Sequence, residues 1–260
     1  VWLGEAVGAD IRVAPPFEPV QVEGTSLRVW GRTHVLEGAL PSAITSAGAE
    51  LLARPITLVA LRSGRREEAR ILRPFRLESR RNEEAAFDGA YELAGLRIEL
   101  KGTLAFDGML YYRLEAKPIS GERGEPVDRL FIAIPVRPAH ALYYFSTGGG
   151  WNVAFGETAK PQAGTIWSSN ETADFVPYVG LTDDDRALQW FADNDHEWVL
   201  GTDAPCAQIE RLEDAVEIQI NLVRKTGPVP GFRAEFGFMA SPVKPVPRHW
   251  RHACLDSRPL

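Results

Sequence analysis

VEIQINL, residues 216–222, alternates apolar and polar side chains along its whole length. A period of two sends successive side chains to opposite faces of a β-strand. This stretch therefore predicts a strand with one face on an apolar core and the other in solvent. The same alternation occurs at residues 26–30 and 96–100. Strands that are apolar on one face are typical of antiparallel sheets, so the sequence predicts an antiparallel β fold.

The residues between these stretches favour turns and disfavour helices. The 23 glycines and 19 prolines interrupt the chain too often for long helices. Tight hairpins are predicted at Asp88-Gly89, Asp107-Gly108 and Ala47-Gly48. Residues 183–192 contain a candidate for one short helical turn, but their apolar residues fit a strand better. We predict an all-β fold, a large antiparallel β-sandwich.

The chain shows no internal repeat, and we predict one sandwich domain over residues 1–247. Residues 147–170 are rich in glycine, serine, threonine and asparagine, and we interpret them as one long connection after a strand at 141–145. Loops of this length in compact domains are often functional. Residues 242–247 are rich in proline and precede a basic segment. This pattern predicts a tail or linker over residues 248–260 that leads toward another domain.

Composition excludes several classes of partner. The 260 residues are 45% hydrophobic and 25% charged, which is typical of an ordinary globular protein. A net charge of −6 disfavours nucleic acid, which requires a basic surface. The longest apolar runs are far shorter than the roughly 20 residues of a membrane helix, so no membrane partner is expected. Nucleotide-binding and zinc-binding motifs are missing from the sequence, and we predict no cofactor and no metal site.

The two cysteines and a run of acidic residues leave alternatives open. Cys206 and Cys254 match no metal-ligand spacing; they are free thiols or a disulfide that holds the C-terminal tail. The aspartates at 183–185 lack the spaced ligands and glycine of an EF-hand loop, and we interpret them as a solvated turn rather than a calcium site.

Tryptophans and polar residues in the second half of the chain are the candidate ligand-binding groups. An indole face can stack on the apolar face of a sugar ring, while neighbouring amides, carboxylates and imidazoles bond its hydroxyls. The alternative interpretation places the tryptophans in the core and the polar residues in a hairpin turn. The predicted ligand-binding residues are Trp151, Trp167, Asn170, Trp190, Asp193, His196 and Trp198.

Acid–base catalysis is a second hypothesis. A catalytic site would need His34, His140 or His196 to face a carboxylate or a tyrosine across the sheet. The 35 acidic residues are too many for sequence alone to single out a catalytic pair. We therefore assign no catalytic residue.

Four stretches together resemble a known family. They are residues 41–56, residues 106–109, the stretch GLTDDDRALQWFADNDHEW at 180–198, and residues 238–247 followed by Trp250-Arg251. Over roughly residues 25 to 251, the chain is similar to the N-terminal β-sandwich region of proteins like those of glycoside hydrolase family 123. The resemblance implies a sandwich of the galactose-mutarotase-like supersandwich kind.

The resemblance further implies that a (β/α)₈ barrel follows the sandwich in proteins of that family. By the same resemblance, that barrel hydrolyses terminal N-acetylgalactosamine glycosides by means of an adjacent Asp-Glu pair. No position of this sequence matches that pair, so no catalytic residue is carried over. The leading hypothesis is a non-catalytic accessory or carbohydrate-binding domain of a bacterial, hexosaminidase-like glycoside hydrolase, whose partner is a glycan or an adjoining catalytic barrel. The alternatives are a self-sufficient mutarotase, epimerase or polysaccharide lyase that uses the concave sheet face, and a stand-alone lectin-like module.

Overall fold

The computed structural model describes residues 12–147, 153–159, 162–171 and 175–245. These residues form β-strands joined by short turns, and their only helical elements are the 3₁₀ turns Pro138–His140 and Ser169–Glu171. The predicted all-β fold is confirmed. None of the described segments forms a helix of the length and apolarity that crossing a bilayer requires.

The strands of the described residues are numbered in chain order. They are β1 Gln21–Glu23, β2 Ser26–Val29, β3 Arg32–Leu36, β4 Pro41–Ser46, β5 Ala49–Glu50, β6 Thr57–Arg62, β7 Arg65–Glu68, β8 Arg70–Arg80, β9 Glu84–Leu93, β10 Leu96–Ala105, β11 Leu110–Pro118, β12 Pro126–Val127, β13 Arg129–Val136, β14 Tyr143–Thr147, β15 Val153–Glu157, β16 Gly164–Ser168, β17 Tyr178–Thr182, β18 Ala187–Phe191, β19 Ala207–Arg211, β20 Val216–Val223, β21 Gly227–Pro228 and β22 Phe232–Ser241.

Two large sheets and one smaller sheet contain nearly all of these strands. The nine-stranded sheet has the order β15-β14-β17-β18-β22-β11-β10-β9-β8, and the six-stranded sheet has the order β16-β19-β20-β13-β6-β7. Strands β1 to β5 form a five-stranded sheet in sequential order, and β12 pairs with β21. Neighbouring strands within every sheet pair antiparallel, as the period-two alternation predicts.

One apolar core joins the three sheets. It contains Ile218 and Ile220 of the six-stranded sheet, Trp190 of the nine-stranded sheet and Ile44 of the five-stranded sheet in a single buried cluster. Each fully buried aliphatic side chain contributes about 1.5–3 kcal/mol relative to an exposed one, so this shared core holds the sheets together.

Of the predicted hairpins, two are confirmed and one is wrong. Asp107-Gly108 lies in the turn between β10 and β11, where Gly108 has φ 86°, and Ala47-Gly48 separates β4 from β5. Asp88-Gly89 instead lies in the middle of β9. A Cβ on Gly89 would come within 2.8 Å of the Ala39 backbone nitrogen, so this glycine permits a close approach of two backbones rather than a turn.

The long connection predicted at residues 147–170 is also wrong. This segment contains β15, on the edge of the nine-stranded sheet, and β16, on the edge of the six-stranded sheet. Residues 187–191 form strand β18, in agreement with the preferred interpretation of that stretch. The predicted domain end at residue 247 and the tail at 248–260 lie outside the described residues.

Candidate functional site

The outer face of the six-stranded sheet carries a buried polar row. Glu217, Gln219 and Asn221 are 1%, 3% and 0% exposed, although they alternate with the core residues of β20. The sequence predicted solvent on this face of VEIQINL, and that prediction is wrong. Side chains from other strands of the same sheet cover the row.

Arginines from outside β20 neutralise Glu217. Arg66 Nη1 and Nη2 donate to the two Glu217 carboxylate oxygens at 2.8 and 3.0 Å, and Gln219 Nε2 donates to Oε1 at 2.7 Å. Arg54 Nη2 lies 3.6 Å from Glu217 Oε2 and also pairs with Asp214 through Nη1. Two parallel hydrogen bonds from one guanidinium hold a carboxylate in a single orientation. Glu217 is therefore fixed and charge-balanced.

Arg129 covers the other end of the row. Its Nη2 and Nη1 donate to Gln219 Oε1 at 2.8 Å and to Asn221 Oδ1 at 2.9 Å. The Arg129 guanidinium lies 4.4 Å from the centre of the Phe131 ring, and that of Arg66 lies 5.4 Å from the same centre. Burial lowers the pKa of Arg129 below its ordinary value. Stacking on Phe131 compensates part of the cost of removing these cations from water.

A cavity of about 190 Å³ adjoins the row at Glu217. Arg54, Arg66, Ser42 and Tyr91 are among the side chains that line it. Burial raises the pKa of Tyr91 to about 12, and its hydroxyl accepts a hydrogen bond from the Leu40 N–H at 2.9 Å. Tyr91 therefore remains protonated at neutral pH. Ligand pockets for drug-sized molecules occupy about 300–1,000 Å³, so this cavity suits only a small polar group.

Three of the predicted tryptophans lie in the core. Trp167, Trp190 and Trp198 are 1%, 0% and 6% exposed. The Trp190 and Trp198 rings meet edge to face at 6.1 Å, and Trp167 packs on Tyr144 at 6.2 Å. Because these indoles are buried against neighbouring rings, they expose little surface on which a sugar ring could stack. Trp151 lies outside the described residues.

The other predicted ligand-binding residues are exposed. Asn170 lies in the 3₁₀ turn after β16, apart from the turn that holds Asp193 and His196. In that second turn, Asn194 donates to Asp193 at 3.2 Å and accepts from the His196 N–H at 3.1 Å. Asp193 and Trp198 also line a cavity of about 260 Å³. Ligand binding by the predicted set stays a prediction, and its exposed members are the ones that can contact a ligand.

The three histidines of the catalytic hypothesis have different surroundings. His34 is 1% exposed, neither of its ring nitrogens has a hydrogen-bond partner in the described structure, and burial together with Arg32 lowers its pKa to about 3. His196 is exposed in its turn. His140 places Nδ1 2.7 Å from Oδ2 of Asp183, so this histidine faces a carboxylate.

Asp183 connects His140 to a tight turn. Its Oδ1 accepts the backbone N–H groups of Asp185 and Arg186 at 2.7 and 2.6 Å. Burial acts to raise the pKa of Asp183, but these hydrogen bonds and the one from His140 outweigh it and lower the pKa. The carboxylate closes the turn and orients the imidazole.

The described cysteine is not a reactive thiol, and the acidic side chains form no metal-binding group within the described residues. The Cys206 thiol is buried, and burial raises its pKa to about 11, so it is protonated and a poor nucleophile at neutral pH. Cys254 lies outside the described residues, so a disulfide with the tail stays untested. Within the part of the chain that the structure describes, no three histidine, cysteine or acidic side chains are grouped to hold a metal.

Comparison with known proteins relates the chain to sandwich proteins. A protein in glycosyl hydrolase family 38 from Enterococcus faecalis superposes with a TM-score of 0.55 at 8% identity, over 86% of this chain and 31% of that chain. A galactose mutarotase related enzyme from Lactobacillus acidophilus gives 0.41 at 10% identity, over 87% and 98%. The galactose 1-epimerase of Lactobacillus acidophilus NCFM gives 0.39 at 10%, over 88% and 99%. At these identities the similarity concerns the fold alone.

A family comparison goes further than the fold. Comparison with curated protein sequences finds no match. The family described as "Glycoside hydrolase 123, third domain" matches residues 20–180. The resemblance to family 123 is confirmed, and the region that the sequence analysis placed at the N-terminus of such proteins is the one that this description names the third domain. Because the match covers more than half of the 260 residues, the chain belongs to the family of glycoside hydrolase 123 third domains.

Proposed function

We propose that this chain is a non-catalytic, carbohydrate-binding accessory domain of a hexosaminidase-like glycoside hydrolase, in which another domain carries out the hydrolysis. Family membership ties the chain to glycoside hydrolases, and the family description refers to one domain among several. The partner is a glycan, with an adjoining catalytic barrel as the second contact.

The state of Glu217 is the observation that carries this proposal. A general acid or base must exchange its proton with substrate or water. Both Glu217 oxygens already accept hydrogen bonds from Arg66, and Oε1 also accepts one from Gln219. A buried carboxylate that is held in this way is a structural ion-pair partner and is poorly placed to transfer a proton.

Activity and binding measured on the same chain test the proposal. We expect glycan binding on a carbohydrate array without hydrolysis of an aryl N-acetylgalactosaminide. Calorimetry suits the binding measurement, because Trp167, Trp190 and Trp198 are buried and their fluorescence reports poorly on a surface ligand. Hydrolysis that disappears in Glu217→Gln but persists in the exposed control Glu213→Gln would contradict a non-catalytic role.

The contact between His140 and Asp183 favours a second candidate, a self-sufficient epimerase or mutarotase. A histidine held at 2.7 Å from a carboxylate is a usable acid–base group. Interconversion of the galactose anomers, followed by NMR, distinguishes the two candidates. Equilibration that is faster than in buffer, and that His140→Gln abolishes while His196→Gln does not, would establish this second function. A rate equal to that in buffer would eliminate mutarotation.

A further inference from the structure

The outer face of the nine-stranded sheet is divided into a charged half and an aromatic half. On β9, β10, β11 and the first part of β22, outer-face positions carry Asp88, Lys101, Arg113 and Glu235, which are neighbours across the strands. On β14, β15, β17, β18 and the last part of β22, the corresponding positions carry rings and a thioether. We call these six residues the aromatic face: Tyr143, Phe145, Phe155, Tyr178, Phe191 and Met239.

Strand register places the aromatic face on one side of the sheet. Phe155 pairs with Phe145, which pairs with Gly180; Tyr178 pairs with Phe191. Residues directly opposite each other project from the same face of an antiparallel sheet. The alternate residues of β17 and β18, such as Val179 and Trp190, are 0% exposed in the core, so the aromatic residues project outward.

Two of these rings lie close to glycines of a neighbouring strand. A Cβ on Gly180 would be 2.3 Å from Cζ of Phe145, and a Cβ on Gly237 would be 2.3 Å from Cζ of Phe191. Each ring therefore covers the backbone of a glycine on the neighbouring strand. A side chain at either glycine would displace the ring, so the two glycines allow the rings to stay close to the sheet.

The edge of this region is strongly exposed. Phe155 and Val153 on β15 are 67% and 65% exposed. The Tyr143 ring lies 6.1 Å from that of Phe155 and is parallel to it within 11°. Large apolar groups exposed together mark binding surfaces more often than isolated ones do.

Neutral polar groups are interspersed with the rings. Among the described outer-face side chains of β14, β15, β17 and β18, Glu157 carries the only charge. The Tyr178 hydroxyl bonds Gln189 Oε1, while Gln189 Nε2 and the Tyr143 hydroxyl have no hydrogen-bond partner within the described residues. An anionic ligand would therefore meet no cation among these described strand positions.

These polar groups distinguish a glycan from an apolar protein surface. A protein that covered the aromatic face would bury Gln189 Nε2 and the Tyr143 hydroxyl between the rings, and each unsatisfied group costs about 1–3 kcal/mol. A sugar offers C–H groups to the ring faces and hydroxyls to the amide and phenol. The row from Phe155 across to Met239 crosses five strands, or roughly 19 Å at about 4.8 Å per strand spacing, which suits a chain of several sugars.

We propose that the aromatic face binds an uncharged glycan chain laid across β15, β14, β17, β18 and β22. The inference rests on the proposed function and gives it a location and a ligand class. The location differs from the polar row and from the residues that the sequence singled out.

Calorimetric titration of the whole chain with a neutral galactan tetrasaccharide and with an oligogalacturonate of the same length tests the inference. Phe155→Ala should weaken binding of the neutral tetrasaccharide about tenfold, because one stacked ring is lost. Phe155→Trp, which keeps an aromatic face, should retain binding. The matched control is Ile119→Ala, since Ile119 is 54% exposed but lies outside the aromatic face. Unchanged thermal unfolding of Phe155→Ala would show that the fold is intact.

The outcomes separate this inference from the proposed function. Binding that Phe155→Ala weakens and Ile119→Ala leaves unchanged supports both. Equal binding by all variants overturns the aromatic face but leaves a carbohydrate-binding domain. Tighter binding of the oligogalacturonate overturns the neutral ligand class. A native chain that binds neither probe nor any sugar on the array contradicts carbohydrate binding itself. Self-association lost only in Phe155→Ala would make the face a protein interface.

Discussion

His34 is an imidazole that the fold keeps neutral. It is buried without a hydrogen-bond partner in the described structure, beside Arg32 on the same face of β3. Burial disfavours the protonated form, and the positive charge of Arg32 adds to the effect. The unfolded chain gains a proton near pH 6.5, whereas the folded chain gains it only at a pKa of about 3.

The free energy of unfolding should therefore decrease as the pH is lowered from about 6.5 to about 3. Between about pH 6.5 and pH 3, the unfolded state binds a proton that the folded state excludes, which costs about 1.4 kcal/mol per pH unit from this site. We expect His34→Leu to flatten the decline in the free energy of unfolding measured by urea denaturation from pH 7 to pH 4. The exposed control His196→Gln should keep the native slope. A native slope in His34→Leu would show that His34 titrates in the folded chain as it does in the unfolded chain.

The buried carboxylate of Glu217 depends on Arg66 for most of its charge balance. The carboxylate is 1% exposed, so removal of Arg66 leaves a buried charge that keeps the 3.6 Å contact to Arg54 and the hydrogen bond from Gln219. We expect Arg66→Ala to lower the free energy of unfolding by about 2–3 kcal/mol, less than the roughly 3–5 kcal/mol of a fully broken buried pair, because Arg54 and Gln219 remain. Arg65→Ala, at the exposed neighbouring position of β7, is the control and should change stability by less than about 0.5 kcal/mol. Equal losses in both variants would contradict this assignment.

At the scale of elements, the neighbouring strands β14 and β17 fit together through a contact between a ring and a glycine. Phe145 lies over Gly180, and the three atoms nearest to a Cβ at that position all belong to the Phe145 ring. The glycine is needed because of its neighbour rather than because of its own backbone angles. The sheet therefore accommodates the Phe145 ring at the expense of a residue with low strand preference at position 180.

A double-mutant cycle tests this dependence. Gly180→Ala should lower the free energy of unfolding by about 1–3 kcal/mol, because its methyl group collides with a ring that has to move. In a Phe145→Ala background the same substitution should cost much less, since the collision is gone. Chemical denaturation of the four proteins gives the coupling energy. Additive losses would mean that the ring does not cover the glycine.

At the scale of the whole molecule, Arg32 fastens the five-stranded sheet to the end of β22. Arg32 Nη1 donates to the Ala240 carbonyl at 3.1 Å and Nη2 donates to the Val243 carbonyl at 3.0 Å. The Ser46 hydroxyl donates to the Ser241 carbonyl at 2.8 Å, and Arg186 Nε donates to the Ser46 carbonyl at 3.2 Å. The small sheet is thus joined to the large one by apolar packing and by a few directed hydrogen bonds.

Removal of the Arg32 hydrogen bonds should lower the local stability of the five-stranded sheet. We expect Arg32→Met to accelerate amide hydrogen exchange in β2, β3 and β4 while leaving β13 and β20 protected, because local stability follows local contacts. Arg28→Met, on the exposed face of β2, provides the control. Uniform acceleration across all sheets would indicate that the five-stranded sheet unfolds together with the rest of the molecule.

The sequence by itself determined the fold class and much of the strand pattern. Period-two alternation depends on neighbouring residues only, and it correctly predicts antiparallel strands at VEIQINL and at β2 and β10. The Asp107-Gly108 turn could be predicted for the same reason. Asp88-Gly89 could not, because Gly89 meets the backbone of Ala39, fifty residues away in the chain. In the sequence, the dipeptide Asp-Gly looks the same whether its glycine forms a turn or permits contact with a distant segment.

Only the tertiary structure decided which polar and aromatic residues reach the surface. Alternation assigns Glu217, Gln219 and Asn221 to one face of β20, but Arg66 and Arg129, which cover that face, come from parts of the same sheet that are distant in the sequence. Trp190 and Trp198, which lie in a polar stretch of the sequence, are buried in the core, while Phe155 of β15 is exposed. Burial depends on which part of the chain lies on top of a residue. That arrangement is set by the packing of whole sheets, and short-range sequence patterns carry no record of it.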